Sequence, residues 1–108
     1  MIGSQDPVFK VHALAGRLDA QSADSVRATL LDLLTARQHL IVDCAELQYM
    51  SSVGLSVLLV VAKQATALKV KFRVCALTEN VKEIFELAGF SKVIAHYPTR
   101  KDAIATLG

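Results

Sequence analysis

Tyr49-Met50-Ser51-Ser52-Val53-Gly54 places two adjacent hydroxyls between the apolar run Leu40-Ile41-Val42 and a second apolar run from Leu55 to Ala62. A serine held where a buried strand turns into a helix is suited to accept phosphate. A phosphoryl group on Ser52 would lie against unpaired backbone N–H groups and the positive dipole end of the following helix, so the domain tolerates a dianion without unfolding. The chemistry expected of this segment is a charge switch. Two other uses of the same hydroxyls compete with it. Ser52, or Ser51 in its place, suits a helix N-cap that satisfies a backbone N–H. A hydrolase nucleophile elbow also sets a serine between strand and helix, but the residue two before Ser52 is Met50 rather than glycine. Of the histidines, only His96 is placed to approach the same rim, so a triad has little support.

The elements that must hold this segment follow from apolar spacing. Val8 to Ala15 interleaves polar residues as a strand with one less buried face does, and Gly16 is expected to bend the chain after it. From Ser22, a candidate N-cap with Asp24 in the first turn, the residues Ala23, Val26, Leu30, Leu33 and Leu34 recur at helical spacing until about Ala36. Leu40 to Cys44 shows no alternation and reads as a central parallel strand covered on both faces. A second helix is expected from about Val53 to Leu68, with a first half apolar almost all round that belongs to the core. Val70 to Cys75 alternates cleanly, which places it nearer a sheet edge. Thr78 or Asn80 can cap a helix bearing Val81, Ile84, Phe85 and Ala88, with Gly89 as a left-handed stop and Phe90 packing back. Val93-Ile94-Ala95 is expected as a last short strand, and Thr99 with Asp102 begins a final helix bearing Ala103, Ile104 and Leu107 in a capping-box-like way.

Strands alternating with helices imply βαβ units and the α/β class. In such sheets the loops leaving the C-terminal strand ends gather on one edge, where ligands and partners meet the protein. Those loops are expected at Gly16 to Gln21, Glu46 to Gly54 and Leu77 to Asn80. Asp19, Ser51, Ser52, Thr78 and Asn80 are thereby brought to one rim although scattered in sequence.

Composition narrows the function classes. At 108 residues and 53% hydrophobic, the chain supports one core and one domain, residues 1–108, with residues 1–7 expected as a flexible or short edge-strand segment. Twelve basic and ten acidic residues are interleaved to a net charge of +2, and no basic stripe carries aromatics, so a protein partner is expected rather than nucleic acid. Cys44 and Cys75 fall inside apolar runs without a CxxC, which fits small core residues in a reducing compartment. His12, His39 and His96 share no ligand spacing and no phosphate-cradling glycine loop is present, so neither metal nor cofactor is expected. Val53 to Ala62 falls well short of the roughly 20 residues that cross a bilayer, and Met1 to Pro7 reads as no export signal. A cytoplasmic protein away from the membrane is expected.

Three segments carry a resemblance to a known family. Gly16-Arg17-Leu18-Asp19 followed by Ala23, Val42-Asp43-Cys44-Ala45, and Tyr49-Met50-Ser51-Ser52-Val53-Gly54-Leu55 resemble the STAS domain, and within it the stand-alone bacterial anti-sigma factor antagonists. Asn80 to Phe90 and Lys101 to Leu107 resemble the family's closing helices. The resemblance implies a four- to five-stranded mixed, mainly parallel sheet with about four helices, in a monomer or weak dimer. It implies that Ser52 matches the serine that a partner kinase phosphorylates, that Gly54 matches the glycine opening the helix, and that Asp19 and Asp43 match acidic positions near that serine. Either aspartate also suits a turn or a helix N-terminus. Ser51 stands where many members have aspartate and Val53 where many have a second small hydroxyl residue; both flank the acceptor without replacing it. Members usually begin with a hairpin, whereas only a short stretch precedes Val8, so the first strand is expected to be truncated or missing.

The function implied is non-enzymatic. The unphosphorylated chain would bind an anti-sigma factor that is a GHKL-type serine kinase and so release a sigma factor; phosphate on Ser52 would end that binding, and a PP2C-type phosphatase would reset it. STAS domains also serve as subunits of stress-signalling scaffolds and of lipid-transport complexes, and as tails of anion transporters; the lack of an apolar run long enough to span a bilayer disfavours the last.

Overall fold

The computed structural model describes residues 8–108. Four strands, β1 (Phe9–Leu18), β2 (His39–Met50), β3 (Phe72–Cys75) and β4 (His96–Tyr97), lie in sequence order, and each neighbouring pair is parallel. The connections are α1 (Ala23–Leu33), α2 (Ser52–Leu68) and α3 (Glu79–Leu87), and α4 (Arg100–Ala105) closes the chain. Parallel strands laid down successively in one direction require crossovers of one hand, which puts all three connecting helices on the same face. That face holds the main core: Leu30 from α1, Leu58 and Val61 from α2, and Val81 and Phe85 from α3 pack on Leu40, Val42 and Val74 of the sheet. The opposite face is covered by α4, where Ala103 and Leu107 pack on Ile41 and Cys75. β2 is thus buried on both sides, which is why Leu40 to Cys44 lacks alternation. The expected α/β class with about four helices stands, and the sheet expected to be mixed and mainly parallel is a four-stranded one that is parallel throughout among the described residues. The expectations for residues 1–7 and for a truncated first strand lie outside the described residues.

Both long strands run further than their local pattern indicates. Gly16 does not turn the chain out of the sheet: it sits within β1 at φ +75°, and the strand continues to Leu18. β2 likewise reaches Met50, through residues expected to form a loop. Pairing steps from Ala13↔Asp43 to Ala15↔Glu46, and from Gly16↔Leu47 to Arg17↔Tyr49, so β2 carries an extra residue at each irregularity. Each insertion costs one residue of alternation. Burial after Cys44 therefore falls at Leu47 and Met50, with two exposed residues between. This three-residue spacing is neither that of a strand nor, over so short a run, that of a helix, so the segment reads as irregular in sequence.

Smaller differences have equally local causes. α1 ends at Leu33 rather than near Ala36, because Leu34 turns extended and buries its side chain as the cap. β3 begins at Phe72 rather than Val70 and lies one strand in from the edge, with the two-residue β4 outside it among the described residues. Val93-Ile94-Ala95 is not the last strand. A 3-10 turn at Phe90–Lys92 keeps the amides of Val93 and Ile94 on the Phe90 carbonyl, and β4 starts only at His96, just beyond the expected run. The N-cap positions of α1 and α3 are Ser22 and Thr78, yet neither side chain caps its helix. Ser22 Oγ instead donates to the Arg17 carbonyl at 2.8 Å, and Thr78 Oγ1 to the Leu47 carbonyl at 3.0 Å, each tying a loop to a strand. Thr99 does cap α4 as expected, accepting the Asp102 amide at 3.0 Å.

The cysteines are core residues on opposite faces of the sheet, Cys44 with the α1–α3 cluster and Cys75 with α4. Burial pushes the Cys44 thiol up to about 12 and the Cys75 thiol up to about 11, with smaller contributions from Asp43 to both and from Cys75 to Cys44. Thiols so protonated are poor nucleophiles. No helix among the described residues is long and apolar enough to cross a membrane.

Candidate functional site

β1 and β2 end side by side, and their register decides what surrounds the serines. Arg17 pairs with Tyr49 and Leu18 with Met50, and the Leu18 carbonyl accepts the Ser51 amide at 3.0 Å. The chain then enters α2 directly. Ser51 is the N-cap: it is half-buried, its backbone is extended, and its Oγ accepts the Gly54 amide at 3.3 Å. Ser52 is the first helical residue and is exposed, and its hydroxyl makes no hydrogen bond among the described residues. Capping thus falls to Ser51, and the Ser52 hydroxyl is left exposed and without a partner among the described residues. The amides of Ser52 and Val53 find no acceptor among the described residues, because the first intrahelical bond runs from Leu55 to the Ser51 carbonyl. Two N–H donors and the helix dipole therefore face the region of Ser52.

Gly54 explains how α2 comes so close to the strand ends. A Cβ built there would stand 2.5 Å from the Leu18 carbonyl oxygen, 2.8 Å from Leu18 Cγ and 3.0 Å from Met50 Cγ. Only a residue without a side chain fits that contact, and the contact holds Ser52 at the lip of the sheet.

Two clefts open at this rim. One, of about 480 Å³, is lined by Arg17, Asp19, Ala20, Gln21, Tyr49, Ser51 and Val53; the other, of about 570 Å³, by Arg17, Gln48, Tyr49, Thr78 and Asn80. Arg17 and Tyr49 form the ridge between them, the guanidinium 4.3 Å from the ring centroid. Arg17 Nε also donates to Asp19 Oδ2 at 3.1 Å. That bond does most to hold the Asp19 carboxyl below the usual range; desolvation opposes it, and the amides of Gln21 and Ser22 add to it. Of the residues singled out from sequence, Asp19, Ser51 and Val53 thus share one cleft, Thr78 and Asn80 the neighbouring one, with Ser52 exposed at the head of α2 and Gly54 buried beneath. Arg17 and Tyr49, which join the two clefts, and Gln21 and Gln48, which line them, are not among the candidates that sequence reasoning finds. The available signal was position: Arg17 and Tyr49 stand inside the two motifs that parallel pairing of β1 and β2 must align.

Asp43 does not belong to this group. It points to the α4 face, where Oδ2 accepts from Arg100 Nε and Nη2 at 3.0 and 2.8 Å and Oδ1 accepts the Ala45 amide at 2.9 Å. The carboxylate is nearly buried while the guanidinium is half in solvent, so the pair is worth less than a fully buried one but leaves a costly orphan when broken. Asp43→Ala is expected to lower stability by about 2 kcal/mol, read as a shift in the urea midpoint, through the loss of the strap between β2 and α4. A change below about 0.5 kcal/mol would show the strap to be idle.

The α2 surface beside Ser52 differs from expectation. Its inner face is core, but Val53 and Val60 are 44% and 42% exposed. The apolar first half of α2 is therefore not wholly interior: an exposed strip runs from Val53 past Ser56 to Val60.

A family model described as the STAS domain matches residues 4–103. The chain belongs to the STAS domain family. Among curated relatives, BtrV of Bordetella bronchiseptica, provisionally assigned as an anti-sigma factor antagonist, is 30% identical over 96 residues, which cover 88% of this chain and 83% of that one. The anti-sigma F factor antagonist of Paenibacillus polymyxa is 28% identical over 96 residues, covering 87% and 82%. A crystal structure from Thermotoga maritima, of a protein provisionally assigned in the same way, matches this STAS domain with a TM-score of 0.84 over 96% of this chain and 89% of that one. At 14% identity the last likeness speaks for the fold alone.

Proposed function

We propose that this STAS domain is an anti-sigma factor antagonist working as a phosphorylation-controlled partner switch, and that Ser52 is the switch. Unphosphorylated, it binds an anti-sigma factor of the GHKL serine kinase type and releases a sigma factor in the cytoplasm; phosphate on Ser52 ends that binding, and a PP2C-type phosphatase restores it. The chain catalyses nothing itself. His96 supports this last point, since its ring packs edge-on against Phe85 at 5.3 Å and it lines neither rim cleft.

The observation that carries the reading is the division of labour at the head of α2: Ser51 caps the helix, while the Ser52 hydroxyl is exposed and unbonded among the described residues. Phosphate at that first helical position meets two free amides and the positive helix end, so the fold is retained. A docking partner meets something else. The exposed Val53 and Val60 offer apolar contact immediately beside Ser52, and a dianion there must be stripped of water or brought against like charge as the interface closes.

The test is incubation with the kinase partner and ATP, followed by mass-spectrometric location of the phosphate. Ser51→Ala is expected to remain a substrate and Ser52→Ala to take up none. Phosphate mapped to Ser51 would overturn the choice of acceptor.

A further inference from the structure

We propose that Arg17 reads the phosphate: when Ser52 is phosphorylated, the guanidinium leaves Asp19 and closes on the phosphoryl oxygens across the cleft that it shares with Ser51 and Val53. The proposal rests on Ser52 being the acceptor and goes beyond it, because repulsion of a partner needs no residue of this chain to respond.

Arg17 is the one cation among the residues lining either rim cleft. Its cleft is bounded by the two residues that flank Ser52, and its backbone is anchored, since its carbonyl accepts Ser22 Oγ at 2.8 Å. The side chain is only partly committed. Nε holds Asp19 Oδ2 at 3.1 Å, whereas the two terminal nitrogens make no hydrogen bond among the described residues, and the side chain is 63% exposed. Stacking on Tyr49 at 4.3 Å orients the guanidinium plane without using its N–H groups. A planar fork with free donors suits two phosphoryl oxygens, and a phosphate near −2 attracts it more strongly than the single charge of Asp19.

Moving Arg17 would change the rim in two ways. Ser52 carries the new charge, and Asp19 loses its counter-ion, so a carboxylate neutralised in the unmodified chain becomes uncovered. The turn itself need not unfold. Asp19 Oδ1 accepts the Gln21 amide at 3.0 Å, and its carbonyl accepts those of Ser22 and Ala23 at 3.1 and 2.8 Å, none of which involves Arg17.

The experiment uses the full chain with phosphoserine incorporated at position 52 during translation, so that no kinase is needed, and follows the second ionisation of the phosphate by phosphorus NMR. A nearby guanidinium favours the dianion, so the native background is expected to titrate at a lower pH than Arg17→Gln, by about half a pH unit or more. Arg17→Lys should fall between them. Asp19→Asn removes the competing carboxylate and should lower the midpoint further. Coincident midpoints for the native background and Arg17→Gln would overturn the proposal. That result leaves Ser52 as acceptor untouched, whereas phosphate mapped to another residue after kinase treatment would overturn the underlying reading.

Discussion

Gly54→Ala is expected to destabilise the fold by about 2 kcal/mol, measured as a lower urea midpoint with an unchanged slope. The sign is not obvious, because alanine in place of glycine inside a helix ordinarily stabilises by roughly 1 kcal/mol. Here the new methyl group would stand 2.5 Å from the Leu18 carbonyl oxygen, which is backbone in a paired strand and cannot swing aside. Moving α2 away instead stretches the bond from the Ser51 amide to that same carbonyl, which costs about another 1 kcal/mol. Overpacking of about 1–3 kcal/mol plus this loss outweighs the helix gain. Gly54→Val should be worse still. An alanine variant as stable as the native chain would show that α2 does not depend on close approach to the strand ends.

Ser52→Ala and Ser52→Asp are expected to separate strongly in affinity for the anti-sigma partner while remaining equally folded. Alanine keeps the rim neutral and should bind like the unmodified chain. Aspartate places one fixed charge beside Val53, where the closing interface must desolvate it, and should weaken Kd by about 30-fold, equivalent to about 2 kcal/mol. Phosphate, with close to twice the charge, should weaken it further. Calorimetric titration of both variants decides the matter, and equal affinities would refute the switch. Comparable thermal unfolding of the two is the control, since an acidic group at the first helical position is favourable to the helix.

What local spacing established extends to the class of the fold and the place of the helix entrance that carries the two serines. The non-alternating Leu40 to Cys44 marked a strand buried on both faces, and the spacing of Val81, Ile84 and Phe85 marked a helix with one apolar side. The pair of serines before the apolar run of α2 marked a helix entrance. These are short-range properties: strand and helix periods come from backbone geometry within a few residues, and capping concerns adjacent amides.

What only the tertiary structure decided depends on register and on distant partners. The two extra residues in β2 replaced alternation by a three-residue spacing, so a continuous strand resembled a loop, and the alignment of Arg17 with Tyr49 could not be counted from either segment alone. Asp43 is far in sequence from the arginine that holds it, and nothing near it distinguishes a site aspartate from one that straps a helix to a sheet. Gly54 likewise reads as a poor helix residue until the Leu18 carbonyl is brought against it. By itself the sequence determined that a hydroxyl would stand at the head of a helix on an α/β sheet. That β2 runs on to Met50 before the helix begins, and which cation lines the cleft beside the hydroxyls, were settled by how two parallel strands slide past one another, because side-chain partners across a sheet follow register rather than proximity along the chain.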